Sequence, residues 1–177
     1  MKLRILLIVL LVPLLMSAQG KKKKPKVCPP KKEIHEYYQS YLLTPDSAQT
    51  PYLYYKVYEW VGTCYQYSGT TKKGIDCSGF VSEMYNQVYC IPLPHGSTSI
   101  WTKIAPIENE ELKEGDILFF KIKKGRISHV GIYLGNNKFA HASVRNGVMI
   151  NDLSETYYKN TFYKGGRVES VSPTNTN

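Results

Sequence analysis

The sequence shows no internal repeat, no run of cysteines or histidines at metal-binding spacing, and only one long hydrophobic stretch, at its very start. The missing repeat argues against a stacked array. A metal site assembled from Cys77, His129 and His141 would lack a fourth ligand, so no metal or other cofactor is expected. The apolar stretch, residues 5–15, is too short to span a bilayer as a mature helix. No cysteine follows it closely, and Cys28 is too distant for a lipoprotein signal, so no lipid anchor is expected. Excess charge is also missing from most of the chain. The formal net charge is +9, and Lys2, Arg4, the lysines at 21 to 24, Lys26, Lys31 and Lys32 account for all of it. From Glu33 onward acids and bases balance, with no sign of the basic face that nucleic-acid binding requires, so no nucleic-acid partner is expected.

The chain begins with an export signal. Lys2 and Arg4 precede the apolar run, and Ser17-Ala18-Gln19 offers small residues for cleavage, so residues 1–19 read as a signal peptide. A bacterial exported protein of the periplasm or cell envelope is expected. Residues 20–32 form a disordered Lys- and Pro-rich leader. A solvated leader without a partner is favoured over weak electrostatic contact with anionic envelope polymers. Ile34, Tyr37, Tyr38, Tyr41 and Leu42 recur at helical spacing. They predict a helical extension over 33–49, packed on the outside of a main domain over 50–168, with a frayed tail at 169–177. Export permits disulfides; Cys28 could pair with Cys64 or Cys90, and spacing does not choose between them.

Thr50-Pro51 predicts a helix start, with Leu53, Val57, Trp60 and Val61 facing inward and Gly62 at its end. A loop over 62–69 and a polar turn over 70–74 follow. Asp76 is a good N-cap, and Cys77, Phe80, Val81, Met84, Tyr85 and Val88 form one apolar stripe running to about Tyr89. Residues 95–107 read as irregular, with a short helix around 98–103. Strands are predicted at 117–122, 128–134, 138–143 and 148–151, then an irregular or part-helical stretch over 152–166 and a last short strand at 167–168. This order predicts an α+β fold, with N-terminal helices packed on one face of an antiparallel β-meander.

Cys77 sits where a helix N-terminus favours the thiolate, and a nearby histidine would lower its pKa further and carry its proton. On its own, a small core cysteine would look the same. His129 and His141 lie on successive strands. His129, Gly131 and Tyr133 share a face, and Gly125 and Gly131 leave that face open to close approach. Whether the histidines meet depends on the hairpin. A three-residue loop at 135–137 pairs residues whose numbers sum to 272 and makes the histidines diagonal neighbours, roughly 7–8 Å apart. A two-residue turn at Asn136-Asn137 gives 273 and sends them to opposite faces. A thiol, a base and an orienting group would suit nucleophilic catalysis. His35 and His95 have no comparable context and read as surface residues.

Several motifs stand together in one order. They are Gly62-x-x-Tyr65 with Gly69, Gly74-x-Asp76-Cys77-Ser78-Gly79-Phe80, Gly115-Asp116-x-Leu118-Phe119-Phe120, His129-Val130-Gly131-Ile132-Tyr133-Leu134-Gly135, and Phe139-Ala140-His141-Ala142. Through them the chain resembles the NlpC/P60 family of bacterial cell-wall cysteine peptidases. The resemblance implies a papain-like fold, Cys77 as nucleophile, His129 as base and His141 as the residue orienting it. It implies peptidoglycan stem peptides as the partner, hydrolysed most often between D-γ-glutamyl and a diamino acid. It also implies that Tyr65, Asp76 and Ser78 bind substrate, holding the free amine of an L-Ala before the glutamate. Ser68 and Cys64 depart from the family's usual glycine and proline in that pocket. Two alternatives share the fold: a non-catalytic wall- or partner-binding domain, and a thiol amidase or acyltransferase on another amide. No wall-binding module of the SH3 or LysM kind is expected, and the protein is expected to be a monomer.

Overall fold

The computed structural model describes residues 31–123 and 125–168. The signal peptide expected over 1–19, nearly all of the leader over 20–32 and the tail over 169–177 fall outside them.

Two helices come first, α1 (Lys31–Gln39) and α2 (Pro51–Trp60). Ile34 and Tyr38 of α1 and Leu53, Tyr54, Val57 and Trp60 of α2 are buried in one cluster. The extension therefore shares the domain's core and does not merely cover it. Tyr38 is fully buried and donates its hydroxyl to the Tyr54 carbonyl at 2.7 Å. Pro51 opens α2 as expected, although the Thr50 side chain makes no cap bond. Gly62, at φ +71°, turns the chain out of the helix, and its N–H donates to the Val148 carbonyl at 2.7 Å.

The stretch over 70–74 is more ordered than a plain turn. Thr70–Thr71 (β1) pairs with Gly74–Ile75 (β2) as a small antiparallel hairpin. Asp76 then caps α3 (Cys77–Met84), its Oδ1 accepting the Gly79 N–H at 2.7 Å. The helical path reaches Tyr89 as expected, but its last part, Tyr85–Tyr89, widens into a π-turn that ends at Cys90 with φ +56°. The short helix α4 is Ser97–Trp101.

The sheet has six strands, all antiparallel, in the order β3-β8-β4-β5-β6-β7. They are β3 (Ile104–Ile107), β4 (Ile117–Phe120), β5 (His129–Gly135), β6 (Lys138–Ser143), β7 (Gly147–Asp152) and β8 (Phe162–Val168), with helix α5 (Thr156–Thr161) before the last. Strands β4 to β7 form the expected meander. Residues 104–107 are a strand and not irregular, and β8 is a seven-residue interior strand where only 167–168 was expected. Its glycines hide it, because glycine weakens a strand pattern. Here they admit neighbours: a Cβ on Gly166 would come within 2.3 Å of Ile104 Cδ1.

Alternation sorts the sheet's faces. Ile117, Phe119, Val130, Ile132, Leu134, Ala140, Ala142, Val148 and Ile150 pack with Phe80, Val81 and Met84 of α3. Leu118, Phe120, Tyr133 and Phe139 form a second cluster on the opposite face, closed by Tyr158 of α5. Both faces are thus covered, the second by a short helix that the sequence pattern left undefined.

The β5–β6 hairpin has the two-residue turn, since Asn136 (φ +48°) and Asn137 (φ +60°) form it and Gly135 pairs with Lys138. Run straight, that register would separate the histidines. It does not run straight: Tyr133 pairs with Phe139 and Ile132 with Ala140, so Leu134 is an extra residue. This β-bulge restores the sum of 272 by a route different from the three-residue loop. The bulged residue is itself held, because the Tyr54 hydroxyl donates to the Leu134 carbonyl.

If α1 is part of the core, Tyr38→Ala should destabilise the protein by roughly 3–5 kcal/mol. Tyr38→Phe, which loses only the hydroxyl bond, should cost about 1 kcal/mol. Urea denaturation of the two variants checks both, and unchanged midpoints would show that α1 lies passively on the surface.

Candidate active site

Helix α3 presents its first residue to the sheet. Cys77 is only 8% exposed. Burial pushes its thiol up to about 11, and the negative charge of Asp76 pushes the same way. Hydrogen bonds from the backbone N–H groups of Val130, Ser78 and Cys77 pull it down without overcoming burial. Burial thus works against the thiolate expected at a helix N-terminus. The bond from Val130 also locates the sulfur, against the start of β5 next to His129.

His129 and His141 do more than share a face. His129 Nε2 and His141 Nδ1 are hydrogen-bonded at 2.8 Å, with the rings near perpendicular at 89°. Both are buried, at 7% and 1% exposure. His129 lies beside Phe120, and His141 stacks on Phe139 with ring centroids 5.0 Å apart. Gly131 makes the close packing feasible, because a Cβ there would meet Phe139 Cδ2 at 2.8 Å and His141 Cβ at 3.2 Å. Gly125 instead occupies a turn with open space around it. Burial holds His129 well below the usual imidazole range, and the neighbouring His141 adds to that. Burial lowers His141 to about 4, against the Asn151 hydrogen bond and the Glu155 charge, which raise it.

The sequence reading missed what stands behind the pair. His141 Nε2 is 2.9 Å from Asn151 Oδ1 and 3.1 Å from the Tyr158 hydroxyl. In the β6–β7 register His141 faces Met149, so Asn151 is its diagonal neighbour on the same face. The expected 138–143 and 148–151 strands carried that signal. Tyr158 carried none, since α5 reaches the sheet only through the tertiary fold.

The residues expected to bind substrate lie near one another beside Cys77. Asp76 Oδ1 accepts from Ser78 Oγ at 2.8 Å as well as from Gly79, and Oδ2 accepts from the Ser68 N–H at 2.9 Å. Asp76 is 5% exposed. Tyr65 is partly buried, and its phenol is raised by burial first and then by Cys77 and Asp76, which places it beside both. Ser68 takes φ +55°, a region glycine enters freely, and its N–H bond to Asp76 holds it there. His95 is exposed, as expected, yet its Nε2 lies 3.3 Å from Asp76 Oδ1. His35 pairs with Asp46 at 2.6 Å, away from this site. Among the described residues Cys77 is buried and Cys90 exposed, both as free thiols; Cys28, and with it the pairing question, lies outside them.

A neutral thiol next to a neutral imidazole suits general-base chemistry. With Nε2 of His129 engaged by His141, Nδ1 is the ring nitrogen left outside that bond.

Residues 62–167 match the model of the NlpC/P60 family. The NlpC homologue of Haemophilus influenzae is 43% identical over 110 residues, which are 62% of this chain and 58% of that protein. The murein DD-endopeptidase/murein LD-carboxypeptidase MepS of Escherichia coli is 39% identical over 115 residues, 64% of this chain and 60% of that protein. The chain thus spans less than two thirds of the length of these relatives. An NlpC/P60 family protein of Bacillus cereus superposes with a TM-score of 0.62 at 26% identity, over 71% of this chain and 40% of that one.

Burying both imidazoles uncharged makes stability depend on pH. Unfolded histidine titrates at about 6.5, whereas folded His141 titrates at about 4. Between those values the unfolded chain binds more protons, so stability should fall as the pH drops through that window. Urea midpoints at about pH 7 and about pH 5 should differ in that direction, and His141→Asn should narrow the difference. An equal difference in the variant would show that His141 is not buried uncharged.

Proposed function

The chain belongs to the NlpC/P60 family, and from this we propose that it is an exported cysteine endopeptidase that hydrolyses peptide bonds in peptidoglycan stem peptides. The observation that carries the reading is the bonded His129–His141 pair beside a capped, buried cysteine. In this reading His129 Nδ1 takes the proton of Cys77 as the sulfur attacks the peptide carbonyl carbon. Tyr65 positions the carbonyl, and the growing negative charge on its oxygen develops at the positive end of α3. The imidazolium, still bonded through Nε2 to His141, returns the proton to the leaving nitrogen as the C–N bond breaks. Water then attacks the thioester, giving its proton to His129, and the sulfur leaves and is reprotonated. The name of the Escherichia coli relative supports murein as the substrate and the cell envelope as the location.

Within this reading the resemblance favours the bond between D-γ-glutamyl and the diamino acid, with Tyr65, Asp76 and Ser78 holding a free amine. A second reading has its own support. Both oxygens of Asp76 already accept hydrogen bonds and His95 stands beside one, which leaves little of the carboxylate for an ammonium. The relative named a DD-endopeptidase points the same way, to a bond in the cross-link.

Cys77→Ala should lower release of fragments from purified sacculi roughly a thousandfold or more while the urea midpoint barely changes. His129→Ala should be nearly as damaging and His141→Asn less so. Full activity without the sulfur would overturn the enzymatic reading in favour of a binding domain.

Mass spectrometry of the fragments separates the bonds. Cleavage of L-Ala-γ-D-Glu-diamino acid, reduced at least about tenfold when its amine is acetylated, supports the γ-glutamyl reading. Opened cross-links with that tripeptide left intact support the second.

A further inference from the structure

We propose that Glu155, acting through Asn151, fixes which nitrogens of the histidine pair carry hydrogen, and that both are positioning residues for the hydrolysis proposed above. A carboxylate only accepts hydrogen bonds. Both oxygens of Glu155 lie within reach of Asn151 Nδ2, at 2.9 and 3.0 Å. The Asn151 amide must therefore turn its NH2 toward Glu155 and its Oδ1 toward His141 Nε2, 2.9 Å away. An amide oxygen also only accepts, so His141 Nε2 must carry the hydrogen. The neutral ring then has a bare Nδ1, which accepts from His129 Nε2 at 2.8 Å. His129 carries its hydrogen on Nε2, and its Nδ1 is bare and able to take the thiol proton.

The Tyr158 hydroxyl, which can both donate and accept, follows whichever pattern the amide sets. It lies 3.1 Å from His141 Nε2 and 3.3 Å from Asn151 Oδ1, so with the amide held this way it accepts from the first and donates to the second. Turning the Asn151 amide over would reverse every bond in the chain. His141 would then donate from Nδ1 to a bare His129 Nε2, and His129 would hold its hydrogen on Nδ1, where it could not act as base. Two imidazoles linked only to each other tolerate either arrangement. The choice comes from the one group in the chain that cannot donate.

Glu155 is well placed to hold that direction. It lies at the N-cap position of α5, its N–H donates to the Asp152 carbonyl at 3.1 Å, and its Oε1 accepts the Asp152 N–H at 2.8 Å. Its side chain is therefore tied to the end of β7, which also carries Asn151. Glu155 is bonded to Asn151 and acts on the hydrogen positions by orienting the amide, while its charge also favours protonation of His141.

The test exchanges the roles of the two residues. Glu155→Gln frees the amide to turn and should lower kcat about tenfold with KM little changed. Adding Asn151→Asp should restore kcat. The carboxylate introduced at position 151 can only accept from His141, while the amide introduced at position 155 donates to that carboxylate. Asn151→Leu, which removes the acceptor, should cost roughly 10–100-fold in kcat. Nitrogen-15 NMR of the imidazoles reads the hydrogen positions without any substrate. It should show both rings with hydrogen on Nε2 in the native protein and in the double variant, and a mixture in Glu155→Gln. Native-like spectra in Glu155→Gln, or a double variant with the mixed pattern, would overturn the proposal. Loss of the expected NMR pattern refutes this inference alone, whereas the expected pattern without hydrolysis of any stem peptide refutes the endopeptidase reading alone.

Discussion

Between Tyr133 and Gly135, strand β5 carries one residue more than the strand beside it, and the histidine pair depends on that residue. Side chains alternate along a strand, so a slip of one position moves a whole set of residues to the opposite face. The two-asparagine turn alone would impose such a slip. The bulge at Leu134 cancels it, and His129 and His141 come to lie on one face at bonding distance. The correction is braced from the N-terminal side: Tyr38 donates to the Tyr54 carbonyl, and Tyr54 donates to the carbonyl of the bulged residue. Asn136 of the turn donates to the Leu42 carbonyl at 2.9 Å. The segment before α2 thus meets the hairpin near its turn as well as through the shared core.

Burial sets the chemical state of the site. Charged groups out of water are costly unless paired, and burial disfavours the charged forms of the Cys77 thiol and the two imidazoles. In the proposed hydrolysis, separation of charge is then deferred to the moment of reaction. What must be preset is the direction of each hydrogen bond, and the strand residue Asn151 and the turn residue Glu155 supply it. Asp76 shows the complementary solution. It lies buried beside the thiol and is surrounded by donors from Ser68, Ser78 and Gly79. Those bonds also join the Tyr65 loop to the start of α3. The loop and helix approach so closely that a Cβ on Gly79 would strike the Gly69 carbonyl at 2.4 Å.

Local pattern made much of this legible. The Asp76 cap, the apolar stripe behind Cys77, the Pro51 helix start and the meander from 117 to 152 follow from capping, helical period and strand alternation, which act within a few residues. They were enough to indicate an α+β fold and to single out Cys77, His129 and His141. Strand β3 and most of β8 were not legible, because their pairing partners are far away in the chain and β8 carries two glycines that make room for Leu112, Ile107 and Ile104.

The sequence by itself determined which residues could do chemistry and the helix and strands that carry them, since composition and short-range periodicity decide those. Only the tertiary structure decided how they work together. The bulge that aligns the histidines arises where strand pairing competes with turn geometry. The rise of the Cys77 thiol reflects desolvation by the whole core, which outweighs the local helix end. His95 reaches Asp76, and Asn151, Tyr158 and Glu155 reach His141 directly or through one another, only once helices and sheet have packed. Register, burial and hydrogen-bond direction are properties of contacts between distant segments, so no window of the chain contains them.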